Sequence, residues 1–127
     1  MVDSRYKISK DRLERNVIYQ KALEIYNQFL SDSEILSKDY RGKEIARQLI
    51  RSLGSISANI EEGYGRGSTK EYAHFLKVSR GSARESKGWY IRSKNFLPEE
   101  LIEQRIKTLD EIISLLVGLI NKLDKNE

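Results

Sequence analysis

The chain has 127 residues, a net charge of +4 and a pI near 9.3, with no cysteine and one histidine. Disulfides, thiolate metal sites and a cysteine nucleophile are therefore excluded, and His74 alone makes no histidine cluster. No apolar run reaches bilayer length and the opening Met1–Arg12 has no apolar stretch behind its charges, so one soluble, cytoplasmic domain over residues 1–127 is expected.

One proline and a single glycine cluster give little of the punctuation that an all-β chain requires. Four stretches instead carry apolar residues at helical spacing, over residues 10–31, 42–63, 69–95 and 98–124. Long helices on short connections predict an all-α fold, an antiparallel up-down-up-down four-helix bundle.

The first helix carries two adjacent apolar stripes. Ile18, Ala22, Ile25 and Phe29 form one, and Tyr19, Leu23, Tyr26 and Leu30 form the other. One faces the core; the second is either an oligomer interface or is buried by a wide bundle. On the second helix Ile45, Leu49, Leu53, Ile56 and Ile60 share a face.

The loop Glu62-Gly63-Tyr64-Gly65-Arg66-Gly67-Ser68-Thr69-Lys70 is glycine-rich but lacks the G-K-[ST] ending of a P-loop and follows a helix. A glycine stop and an N-cap at Ser68, three residues before Glu71, are the structural reading. Gly63 and Gly65 are expected to take backbone angles that a side chain resists. Free amides at the start of the third helix, flanked by Arg66 and Lys70, would also suit a backbone phosphate.

The third helix aligns Tyr72, Phe75, Val78, Ser82, Trp89 and Phe96 as its expected core face. Small residues are dense on the middle helices: Gly54, Ser55, Ser57 and Ala58 on one, and Ser79, Ser82, Ala83 and Ser86 on the other, which predicts close backbone approach. The fourth helix is the clearest. Ile102, Ile106, Leu109, Ile113, Leu116, Ile120 and Leu123 alternate spacings of four and three, widened by Ile112 and Leu119. Pro98 suits its first position, Glu99 and Glu100 the positive dipole end, and Lys122 and Lys125 the negative end.

Charge is unevenly placed. Residues 41–97 hold 12 Lys or Arg against 5 Asp or Glu, a net of +7, and the remainder is net −3. On the third helix Lys70, Lys77, Arg80, Arg84, Lys87 and Lys94 fall within about 120° of one another, opposite Phe75, Ser82 and Trp89. Such a stripe either tracks a phosphate backbone or is simply a solvated face. Gly81 and Gly88 lie in the same stripe and permit close approach.

Catalytic constellations are poor. His74 falls on the outward side of the third helix, and Glu61 and Glu62 are adjacent, so they point about 100° apart. No enzymatic activity, metal or cofactor is expected.

At Asn59-Ile60-Glu61-Glu62-Gly63-Tyr64-Gly65-Arg66, then Ser68, Lys70-Glu71-Tyr72, Phe75-Leu76 and Gly81-Ser82-Ala83-Arg84-Glu85, the chain resembles the four-helix-bundle proteins encoded in intervening sequences of bacterial 23S ribosomal RNA genes. The resemblance covers residues 11–123 and is strongest from 45 to 90. It implies a left-handed antiparallel bundle that assembles into a ring-like homopentamer, with no established activity for most members. A related branch is similar to the accessory variability determinant of diversity-generating retroelements, a basic pentamer that binds nucleic acid and a reverse transcriptase. Asn59, Glu62, Gly63, Gly65, Arg66, Ser82 and Glu85 occupy the motif positions, with Asn59 and Glu85 implied as structural polar groups near the junction of helices two and three. Glu61 and Arg84 depart from the commonest pattern.

Two functions follow as expectations: a nucleic-acid-binding accessory oligomer, for RNA, using Arg66 and the six stripe cations; or an oligomeric protein scaffold.

Overall fold

The computed structural model describes residues 12–125. Four helices follow one another: α1 (Val17–Leu36), α2 (Tyr40–Gly65), α3 (Thr69–Ile91) and α4 (Glu99–Lys125). Each packs on its sequence neighbour, and α4 returns against α1. Pairings across the seams run in opposite directions. Ser86 meets Ser52 and Ser79 meets Ile56; Lys77 meets Asp124 and Lys87 meets Asp110; Lys21 meets Glu111 while Asp32 meets Arg105. The expected all-α, four-helix fold is the observed one.

Caps set the helix starts. Asn16 accepts from the amides of Ile18 and Tyr19 at 2.8 and 3.1 Å, so α1 begins at Val17, with Arg12–Arg15 in turns ahead of it. The earliest part of the helix expected from residue 10 lies outside the described residues. At its other end α1 continues past residue 31, because Asp32 and Leu36 extend the buried line of Ile25 and Phe29. Asp39 caps α2 and Ser68 caps α3, the latter accepting from the Glu71 amide at 3.1 Å as its spacing predicts. Pro98 stands immediately before α4 and accepts from the Ile102 amide. The third helix stops at Ile91, short of 95: Ser93 bonds back to Tyr90 and Phe96 to Ser93, which unwinds the chain before the proline.

The core draws on Ile18, Ala22, Ile25 and Phe29 from α1, Leu49, Leu53, Ile56 and Ile60 from α2, and Ile102, Leu109, Ile112, Ile113, Leu116 and Ile120 from α4, as their spacing predicts. The third helix departs from expectation. Its buried line is Ala73, Leu76, Ser79, Ala83, Ser86 and Tyr90, one position along from the expected face. Tyr72, Phe75, Ser82 and Trp89 are half-buried beside it, and Val78 is exposed. The small residues decide this. Ser86 donates to Ser52 and Ser82 to Ser55, both at 2.8 Å, while Ser79 donates to the Ile56 carbonyl at 2.8 Å. With their hydroxyls satisfied, serines can be buried, and the two backbones close to a distance that a ring would prevent. Of the small residues expected at this seam, Gly54 instead faces Tyr26 of α1, and Ala58 is exposed.

The α2–α3 turn also differs from expectation. Gly63 and Gly65 belong to α2, and the positive backbone angle falls at Gly67, with φ of 81°. Gly63 is nonetheless needed as glycine: a Cβ there would come within 2.7 Å of the Phe75 Cβ. Gly65 faces open space.

Candidate nucleic-acid interface

The basic stripe of α3 lies on the flank turned towards α4, and that neighbour partly neutralises it. Lys77 pairs with Asp124 at 3.4 Å and Lys87 with Asp110 at 2.8 Å. Arg66 turns away to Glu62 at 2.6 Å and stacks 5.2 Å over the Phe75 ring. Lys70, Arg80, Arg84 and Lys94 have no carboxylate partner among the described residues. The seven expected contacts thus divide into three paired cations and four unpaired ones. Exposed pairs of this kind are worth only about 0–1 kcal/mol, so a phosphate can compete for the paired cations as well.

The anion site expected at the start of α3 is rearranged. A cleft of about 430 Å³ is lined there by Gly63, Tyr64, Gly67, Ser68, Thr69 and Tyr72, and the cation beside it is Arg12. Arg66 and Lys70 are not among its walls.

The motif residues act within the fold. Asn59 donates to the Ser55 carbonyl and hydroxyl at 2.8 and 2.9 Å, folding onto its own helix beside the Ser55–Ser82 bond. Glu85 accepts from the Trp89 indole at 3.1 Å and pairs with Arg51, tying α3 to α2. Glu61 accepts from the Tyr19 hydroxyl at 2.7 Å while Glu62 holds Arg66, so the adjacent carboxylates diverge. His74 is exposed with its ring edge-on to Phe75 at 5.2 Å. Among the described residues no cluster of metal-ligating side chains forms.

The second stripe of α1 is partly consumed by α2. Tyr19, Leu23 and Tyr26 are half-buried, with Tyr26 against Gly54, and Leu30 stays 49% exposed. Ile50 of α2, also exposed, shares a shallow cleft with Phe29 and Ser33, one turn from Leu30.

Sequence reasoning passed over a buried polar cluster. Asp32, 1% exposed, receives the Tyr90 hydroxyl at 2.6 Å and two bonds from Arg105, at 2.8 and 3.1 Å, and Gln28 accepts from the same guanidinium at 3.3 Å. Burial and the Asp32 carboxylate push the Tyr90 phenol well above its ordinary pKa, and the hydrogen bond to Asp32 raises that of Arg105. The available signal was Asp32 standing in the apolar line of Ile25, Phe29 and Leu36.

Fold and faces together define an all-α four-helix protein with one basic flank. None of its described helices is long and apolar enough to cross a membrane. The chain belongs to the 23S rRNA-intervening sequence protein family, whose model matches residues 14–118. Among solved structures it is similar to a protein of unknown function from the S23 ribosomal protein family of Bacteroides thetaiotaomicron, with 26% identity and a TM-score of 0.74, covering 82% of this chain and 98% of that one. No curated protein matches it.

Proposed function

We propose that the protein is a non-enzymatic nucleic-acid-binding accessory protein that acts on RNA as a cytoplasmic homo-oligomer. The observation that carries this reading is the run of Lys70, Arg80 and Arg84 along one flank of α3, with Lys94 in the turn just beyond its end, all unpaired among the described residues, in a segment of net +7. Cations aimed at phosphates give affinity that falls with salt and reads little sequence. A pentamer, the assembly suggested by the family resemblance, would carry +20 from five copies of +4, enough to attract a polyanion through weak contacts. The same resemblance suggests a reverse transcriptase as protein partner.

The test is an electrophoretic shift with RNA and duplex DNA across a salt series. Reversal of Arg80 and Arg84 to Glu should abolish the shift with helix content intact, since neither belongs to the buried line of α3. Lys77 and Lys87 are poorer probes because their reversal also sets like charges against Asp124 and Asp110. A second reading, a protein scaffold, is favoured by the exposed Leu30 and Ile50 on the α1/α2 face. It predicts no salt-dependent binding to any nucleic acid.

A further inference from the structure

The aromatic residues displaced from the core of α3 form a line along its seam with α2, and three of them each carry an arginine. The Arg66 guanidinium lies 5.2 Å from the Phe75 ring centre, Arg92 lies 4.9 Å from Trp89, and Arg41 lies 5.3 Å from Phe96. All three rings are half-buried and all three arginines exposed. The line follows α3 for about 20 Å from Phe75 to Trp89 and continues to Phe96 beyond its end.

Resting on the nucleic-acid reading above, we propose that this line is a base-stacking track for single-stranded RNA. Three features select that ligand. Planar rings interleaved with guanidiniums are what unstacked bases bind, because every base has a π-face and arginine adds a cation–π contact. Arg80 and Arg84 stand on the other flank of the same helix; between the two flanks Gly81 faces open space, and the Arg92 guanidinium lies over Gly88. One strand lying along α3 therefore meets cations on one side and rings on the other. The carboxylates beside the track do not close it: Asp39 holds Arg41, Glu62 holds Arg66, and Glu85, which accepts from the Trp89 indole at the middle ring, holds Arg51, all in exposed pairs that a phosphate exchanges cheaply, and Arg92 has no carboxylate partner among the described residues. A duplex keeps its bases stacked inside and cannot offer them to half-buried rings.

Trp89 is the one tryptophan of the chain, so its emission reports this track alone. An oligo(A) RNA strand of roughly 12 nucleotides, within the site sizes of single-strand grooves, should quench it on titration, and duplex RNA of equal length should not. Phe75→Leu and Phe96→Leu should each weaken oligo(A) binding about tenfold with the salt slope unchanged, whereas Arg84→Glu should lower that slope. Trp89→Phe should bind like the parent and Trp89→Leu should not. Equal quenching by duplex, or leucine variants that bind like the parent, would overturn the track and leave the electrostatic reading standing. Absence of any shift or quenching overturns both. Emission that changes on protein dilution and ignores RNA would assign the face to a second copy and also overturn the track. The quenching comparison uses the unaltered protein, so it decides even if a leucine variant fails to fold.

Discussion

Arg105 on α4 grips the buried carboxylate of Asp32 on α1 through two nitrogens, at 2.8 and 3.1 Å, and Tyr90 on α3 completes the carboxylate's shell at 2.6 Å. Three of the four helices therefore meet at one charged group inside an apolar core. A buried charge is tolerated when each lone pair is occupied, and the penalty returns in full when one partner is removed.

Replacing Arg105 by Leu strands Asp32 and should cost about 3–5 kcal/mol of stability, a large share of what a domain of this size possesses. Replacing Asp32 and Arg105 together by Leu should cost much less than Arg105→Leu alone, because no charge is left without a partner. Urea melts of both variants check this. Equal losses would mean that the pair is not energetically coupled.

The same cluster gives a pH dependence of known sign. Burial, and then the bond to Asp32, raise the Tyr90 phenol above its unfolded value of about 10. The folded state keeps its proton where the unfolded chain gives it up, so this contribution is complete below pH 10 and is lost as pH rises beyond it. Stability of the parent should therefore fall more steeply from pH 9 to 11 than that of Tyr90→Phe, read from denaturant midpoints. Parallel curves would show that the phenol does not report on folding.

Around the α2–α3 turn three glycines should respond with different signs. Gly63→Ala drives a Cβ to 2.7 Å from the Phe75 Cβ, which sits close to its own backbone and has little room to move, so melting temperature should drop. Gly67→Ala meets no neighbour but must hold φ near 81°, a loss of about 1 kcal/mol. Gly65→Ala enters open space in helical backbone and should gain a few tenths to about 1 kcal/mol. Thermal melts of the three variants separate crowding from backbone angle.

The second and fourth helices were legible because large aliphatic residues at spacings of three and four leave one possible inward face. The third was not, since four of the six residues of its core line are Ala or Ser, while Tyr72, Phe75 and Trp89 sit beside that line. A periodicity weighted by hydrophobic size selects Phe75 and Trp89; the backbones, drawn together by Ser86–Ser52 and Ser82–Ser55, select Ser86 and Ala83. The error propagates to the site. The basic stripe was legible as a stripe, but Asp110 and Asp124 reach it from a helix folded back from later in the chain, and no local pattern announces that. The arginines over Phe75, Trp89 and Phe96 are hidden for the same reason as the core face, because a periodicity weighted by size assigns those rings to the interior.

The exposed apolar pair on the α1/α2 face yields the last prediction. Of the four residues expected to form an interface, Tyr19 and Tyr26 are engaged by α2: Tyr19 donates to Glu61, and Tyr26 covers Gly54. Leu30 is the member that keeps about half its surface in solvent, with Ile50, 43% exposed, close by across the seam. Two large aliphatic side chains on adjoining helices are a small patch, yet Leu30 lies two turns along α1 on the line of the half-buried Leu23 and extends an apolar strip that a second copy would cover. Light scattering should therefore report a species well above 14.8 kDa at micromolar concentration. Leu30→Glu should shift it towards the monomer, because assembly would bury a carboxylate with no partner. The fold should survive that change, as residue 30 faces water in the single chain, so far-UV circular dichroism ought to be unchanged. Leu23→Glu should also weaken assembly but with some loss of stability, since that side chain is already half-buried. A parent protein that scatters as a monomer, or a Leu30→Glu variant that stays assembled, would remove this face from the interface.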